Sequence, residues 1–427
     1  MPSPKLPSIG WLLVSLALAG TPGRAAADWP LPAVAPAAAG VSAARLDVLH
    51  QSLDRIVDAG KYSGYIVLLA RDGRIVDWHA HGWQDIAAKT PMQPDAIVRL
   101  FSMTKLITSA AILMLMEDGR LQLTDPMAQY LPELANPQVF AGGTADAPQL
   151  VPASRPITIR DLLTHTSGYY YDAPWSADPP EVELMSRAKI WESADLAEFV
   201  HRVALVPLHE QPGTHFRYGI STDLLGAIVE KVSGQTLDVF FQQRLLGPLG
   251  LRDTAFSVPP DKRRRLALIY SRDPAGRLAP NPSREEQLAG PARRLFSGGD
   301  GLYSTAADYV RFAQLLLNGG QLGGTRLLGR KTVELMTANH IAHLADPHPF
   351  GFKWQGFGLG VRVVTDLGES PQLASVGTYG WDGAATTNVQ IDPHERTVAL
   401  LLCQHATFNE GDIIATFSNG YYSALDR

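Results

Sequence analysis

Residues 101–116 read FSMTKLITSAAILMLM. So apolar a run, followed by Glu117-Asp118-Gly119, predicts a buried helix that ends near Gly119. Its first turn carries Ser102 and Lys105. Three-residue spacing puts both side chains on one helix face, and a lysine is costly to bury. Serine is a weak nucleophile at neutral pH and needs an adjacent base. Lysine becomes such a base only when neutral, and burial favours the neutral amine. Free backbone N–H groups at the start of a helix suit a developing oxyanion. Ser-x-x-Lys is therefore a mechanistically sensible pair. The pattern is also short enough to arise by chance, and Lys105 snorkelling to the surface is the plainer alternative.

Strand patterns lie on both sides of this segment. GYIVLLA (64–70) and RIVDWHAHGW (74–83) flank Asp72-Gly73, a hairpin signal. Near the other end, TTNVQI and TVALLLCQ flank the turn DPHER, and GDIIATFSNGYYSAL is an amphipathic segment that would pack on the sheet. Upstream, Ser42 caps a helical stripe of Leu46, Leu49, Leu53 and Ile56. Between about Leu123 and Pro280, helical patterns alternate with Pro/Gly-rich loops. Thr158 starts one helix, and Ser221 starts another that closes at Gly234. The glycine-rich SGGDGLYS (297–304) precedes a further helix, TAADYVRFAQLLLNGG. Strands at both ends and helices between them predict an α+β fold, one antiparallel sheet closed by the two termini plus a mostly helical lobe.

Composition narrows the function. The chain has 427 residues, 45% hydrophobic and 19% charged, with a net charge of -5, which gives no reason to expect nucleic-acid binding. The isolated basic run Lys262-Arg263-Arg264-Arg265 reads as a solvated loop. Lys5, the apolar core IGWLLVSLALAG and Ala25-Ala26-Ala27 read as an export signal over residues 1–27, followed by a Pro/Ala-rich leader over 28–40. The signal core is short for a bilayer span, and no later stretch is long and apolar enough to be one. Cys403 is the sole cysteine, placed in an apolar run as a core residue, so no internal disulfide is available. His340 and His343 lack a third ligand nearby and HExxH is absent, so neither a metal nor another cofactor is expected. GxSxG is absent too, which disfavours an α/β-hydrolase.

Six segments in order, FSMTK, ITIRDLLTHTSG, FRYGISTDLLGAIVEKVSG, LGLRDTAF, SGGDGLYSTAADYVRF and GTYGWDGAATTNVQIDP, resemble the serine β-lactamase-like hydrolases. The likeness is to the class C β-lactamase group and its carboxylesterase branch, from about Gly40 to the C-terminus. It implies a β-lactamase-like (penicillin-binding-protein transpeptidase-like) fold in one catalytic domain, 41–427, with a sheet lobe at about 41–122 and 285–427 and a helical lobe at about 123–284. It also implies Ser102 as the acylated nucleophile, Lys105 as its base partner and Tyr218 as a proton relay. The backbone N–H groups of Ser102 and Ala384 would form the oxyanion hole. Trp381, Asp382, Gly383 and Ile220 would border the substrate, with Gly383 letting it approach the backbone. Without the resemblance, Tyr218 reads as a packing aromatic and YGWDG as a turn. His165 is taken as structural, and Tyr169-Tyr170-Tyr171 as an entrance wall or loop packing.

Two departures bear on substrate. The β-lactamases of the group carry asparagine where Ile220 stands and lysine where Trp381 stands. Losing both polar contacts disfavours β-lactams. The resulting expectation is an exported, periplasmic or secreted, serine hydrolase of small esters. The alternatives are a D-amino-acid peptidase or amidase, a weak class C-like β-lactamase, and a catalytically silent binding protein. The partner in every enzymatic case is a small-molecule ester or amide.

Overall fold

The computed structural model describes residues 29–281 and 295–426. The signal over residues 1–27 lies outside the described residues. Eight strands make one antiparallel sheet: β1 (Gly64–Arg71), β2 (Arg74–Asp85), β3 (Thr90–Pro91), β4 (Gln355–Phe357), β5 (Arg362–Val364), β6 (Tyr379–Gly383), β7 (Thr387–Asp392) and β8 (Thr397–Cys403). Their spatial order is β4-β5-β6-β7-β8-β1-β2-β3. The two chain ends thus meet at its centre, where Tyr65 pairs with Cys403 and Leu68 with Leu400.

Both faces of β1 and β8 are covered, so from Tyr65 to Ala70 and from Val398 to Cys403 these strands are apolar rather than alternating. Their side chains still sort by the two-residue period. Ile66, Leu68, Val398, Leu400 and Leu402 enter the larger core with Leu106 and Ile107. Tyr65, Val67, Leu69, Leu401 and Cys403 enter a second core on the opposite face. That second core is closed by α1 (Ala43–Asp58) and by a helix over Ile413–Ser423. Ser42 caps α1 as expected, accepting from Arg45 N–H. The buried stripe ends on Val57 rather than Ile56, which is only half-buried. The β1–β2 turn places both Asp72 (φ 51°) and Gly73 (φ 73°) in the left-handed region, as a type I′ hairpin requires.

On the site face lie α2 (Thr104–Glu117), the short α3 (Ile159–Leu163) and α4 (Ser221–Ser233). α2 packs on α4, and α3 packs on α4 as well. α3 begins with a capping box between Thr158 and Asp161. It stops after five residues because the chain turns left-handed at His165 (φ 54°). The basic run 262–265 is not simply solvated: Lys262 and Arg265 both pair with Asp253.

Candidate active site

Ser102 sits in a short 3₁₀ turn, Phe101–Met103, directly before α2. Phe101 has φ 48°, an uncommon conformation for an aromatic residue and one that stores backbone strain beside a reactive group. The turn is pressed against β6. A Cβ on Gly383 would meet the Leu100 carbonyl oxygen at 2.2 Å. Glycine is needed there to seat the strand against the Ser102 turn, a packing reason that the sequence reading, with its emphasis on substrate approach, did not supply. The same contact brings the Gly383 end of β6 against the turn that carries Ser102.

Lys105, 1% exposed, has three hydrogen-bond partners. Its Nζ lies 3.1 Å from Ser102 Oγ, 3.0 Å from the Tyr171 hydroxyl and 2.9 Å from the Gly299 carbonyl oxygen. Gly299 O can only accept, so Nζ donates there. Either hydroxyl can donate to a neutral amine or accept from an ammonium. The geometry thus fits both charge states of the lysine, and it lets Ser102 hand its proton directly to Nζ.

Tyr218 comes just before α4. Its hydroxyl accepts from Trp381 Nε1 at 3.0 Å, while Lys105 Nζ lies 4.7 Å from the centre of its ring. The hydroxyl that hydrogen-bonds to Lys105 belongs to Tyr171, not Tyr218. A Cβ on Gly219 would meet the Tyr169 carbonyl oxygen at 2.5 Å, so the backbone after Tyr218 packs directly on the tyrosine run. That brings the Tyr171 and Tyr218 rings to 5.5 Å. The run itself divides. Tyr169 and Tyr170 are buried in the core, and Tyr170 donates to the Glu181 carbonyl. Tyr171 alone reaches the lysine, and burial pushes its hydroxyl well above the ordinary tyrosine range.

Aromatic rings surround Tyr218: His165 at 4.8 Å, Trp381 at 5.3 Å, Phe350 at 5.6 Å and Trp175 at 6.3 Å. Phe350 and Trp175 are more than half exposed and form an apolar rim that the sequence reading missed. His165 is fully buried; burial and the charge of Lys105 hold it well below the usual histidine range, so it is a neutral ring packed on Tyr218.

Two expected border residues sit differently. Ile220 is fully buried in the core, so it presents no wall to a substrate; as the residue capping α4 it points into the packing beneath. Asp382 is not a free negative charge. Arg362 pairs with one of its oxygens and Asn388 Nδ2 donates to the other, across neighbouring strands. Among the described residues, no group of three or more His, Cys, Asp or Glu side chains is placed to hold a metal ion.

A family model described as Beta-lactamase matches residues 49–418. A lovastatin esterase from Penicillium rubens is 33% identical over 86% of this chain and 96% of its own length. Esterase EstB from Burkholderia gladioli is 33% identical over 63% of this chain and 68% of its own. Among solved structures, EstCE1, a hydrolase with promiscuous acyltransferase activity, superposes with a TM-score of 0.75 at 28% identity, covering 89% of this chain and 99% of that one.

Proposed function

The chain belongs to the Beta-lactamase family, and from that premise we propose that it cleaves small apolar esters through an acyl-enzyme on Ser102. The observation that carries this reading is the buried Lys105 amine 3.1 Å from Ser102 Oγ. Neutral Lys105 takes the Ser102 proton as Oγ bonds to the ester carbonyl carbon. The oxyanion that forms is held by the backbone N–H groups of Ser102 and Ala384. The carbon–oxygen bond to the alcohol then breaks. The departing oxygen receives a proton through the Tyr218 hydroxyl, which Trp381 orients, with Lys105 and Tyr171 resupplying it. Water attacks the acyl-enzyme by the reverse proton path and frees Ser102.

Esters fit better than β-lactams. A β-lactam carries a carboxylate beside its reactive carbonyl. Trp381 offers an indole face and one N–H, and that donor is already engaged by Tyr218. Arg362, the nearest cation on that strand pair, is engaged by Asp382. The exposed rings of Trp175 and Phe350 suit an apolar acyl or alkyl part. The sequence reading of residues 1–27 as an export signal supports a reaction outside the cytoplasm. An amidase acting on D-amino-acid derivatives would use the same machinery. A silent binding protein would have no need for the Ser102–Lys105–Tyr171 contacts.

The test is labelling with a fluorophosphonate probe followed by mapping of the adduct. The adduct should fall on Ser102, and Ser102→Ala should lose both labelling and turnover of nitrophenyl esters. Wild-type turnover by Ser102→Ala would overturn the reading.

A further inference from the structure

We propose that Asp223 is a positioning residue for Lys105: Asp223 and Asp300 hold one carboxyl proton between them across Ser297, directly behind the lysine. The inference rests on the reading of Lys105 as the base. Asp223 is the third residue of α4 and is 1% exposed. Its Oδ1 accepts from Gly299 N–H at 3.1 Å and lies 2.5 Å from Ser297 Oγ. The same Ser297 Oγ lies 2.7 Å from Asp300 Oδ1. A serine hydroxyl carries one proton, so it can donate to only one of these two carboxylate oxygens. The other short oxygen–oxygen contact needs a proton of its own, with Ser297 Oγ as the acceptor.

Asp223 is the better holder of that proton. Asp300 is about a third exposed, 36%, and pairs with Arg99 at 3.6 Å. Asp223 Oδ2 is buried and has no hydrogen-bond partner among the described residues, and an ionised oxygen there is poorly solvated. Burial first, and the like charge of Asp300 second, push the Asp223 carboxyl up to about 6, against the opposing pull of Lys105 and of its Ser297 and Gly299 bonds. The groups that face it are Lys105 from α2, Tyr171 from the loop after α3, and Ser297 and Asp300 from the 297–301 turn, with Arg99 beyond Asp300.

Gly299 joins the two sites. Its N–H is held by Asp223 and its carbonyl accepts from Lys105. Displacing the Asp223 contact therefore displaces the lysine's own acceptor. The charge also matters. An ionised Asp223 favours the ammonium form of Lys105; a protonated one leaves the amine freer to act as a base. No substrate contact is implied, and Asp223 acts through Lys105.

The experiment pairs an activity-independent readout with a kinetic one. Infrared difference spectra of the wild type between about pH 5 and pH 8 should show a carboxylic-acid carbonyl band that Asp223→Asn removes. In the same variant the part of the acid limb of the kcat/KM profile for a nitrophenyl ester that lies above about pH 6, where the wild-type carboxyl is ionised, should move to lower pH, because the amide cannot carry the charge that favours the ammonium. A purely structural role would lower the rate without moving the limb. Asp300→Asn, at a partly exposed position, covers the case in which Asp223→Asn does not fold. It should move the loss of the band to lower pH by removing the like charge. A band that survives Asp223→Asn, a limb that stays in place, or a band unmoved in Asp300→Asn overturns the proposal. Ester turnover that proves independent of Lys105 while the band still follows Asp223 would reject the base reading and keep the proton assignment.

Discussion

Trp381 Nε1 donates to the Tyr218 hydroxyl at 3.0 Å, and this bond fixes the direction in which the phenol can pass its own proton. With its oxygen occupied as an acceptor on the β6 side, the O–H is free to turn toward the departing group. Trp381→Phe keeps the ring and removes the donor. It should lower kcat for nitrophenyl butyrate about three- to tenfold, the worth of one neutral hydrogen bond. An unchanged kcat would mean that the indole N–H orients nothing.

The two tyrosines should divide in their effects. Tyr218→Phe removes the proposed relay and should cut kcat by about a hundredfold or more. Tyr171→Phe removes one of three partners of Lys105 and should cost about tenfold. Steady-state kinetics on one ester rank them, and the reverse ranking would move the relay to Tyr171.

Catalytic efficiency on nitrophenyl butyrate should exceed that on nitrocefin by roughly a hundredfold or more. One charge-assisted hydrogen bond is worth about 1.5–3 kcal/mol, and neither Trp381 nor the paired Arg362 supplies it. Equal efficiency on the two substrates would instead favour the β-lactamase reading.

Gly383→Ala should damage the site more than a surface change would. Its methyl group would lie 2.2 Å from the Leu100 carbonyl oxygen and from Thr387 Oγ1. Overpacking of this kind costs about 1–3 kcal/mol, and the segment that must shift carries Ser102. Slower fluorophosphonate labelling together with a lower Tm is the expected result; wild-type values for both would show that the turn can yield.

Stability should respond to pH through His50, which bonds to Asp77 at 2.9 Å between α1 and β2. Burial opposes the charge on His50, but the Asp77 bond and the charges of Asp77, Asp54 and Asp47 outweigh it and raise its affinity for a proton. A group whose folded value is raised stabilises fully below its unfolded value, about 6.5, and loses that contribution as pH rises through the folded value. The Tm deficit of His50→Gln should therefore be larger at about pH 5.5 than at about pH 8.5. Equal deficits would remove the charge from the account.

How much of this was legible in the sequence depends on the range of the contacts. Ser102, in the 3₁₀ turn that leads into α2, and Lys105, in the first turn of α2, are three residues apart, so their meeting follows from local spacing. Strands β1, β2, β7 and β8 follow from their patterned runs, and the β1–β2 hairpin from Asp72-Gly73; β3, β4 and β5 are two or three residues long and carry no such run, and YGWDG in β6 reads locally as a turn. Tyr171 was not separable from Tyr169 and Tyr170, because three identical residues carry no local signal. The left-handed turn at His165 and the tight packing at Gly219 set which ring reaches Lys105. The neutralisation of Asp382 by Arg362 depends on the pairing of β5 with β6, and the burial of Ile220 on how α4 seats in the core. The Asp223–Ser297–Asp300 bridge joins segments more than seventy residues apart in sequence, beyond the reach of any local pattern.

The seam at the centre of the sheet has a consequence for how the molecule is made. β1 has β8 as one of its two neighbours, and Tyr65 waits for Cys403 as its partner. Until synthesis reaches β8, the β1 edge of the hairpin, apolar from Tyr65 to Ala70, has no partner strand. An edge of that kind invites pairing with other chains, and contacts of such long sequence separation form slowly. Completion of the sheet is thus deferred until β8 has been made. A stop codon before Thr397 would leave β1-β2-β3 and β4-β5-β6-β7 as two halves of the sheet with nothing to join them.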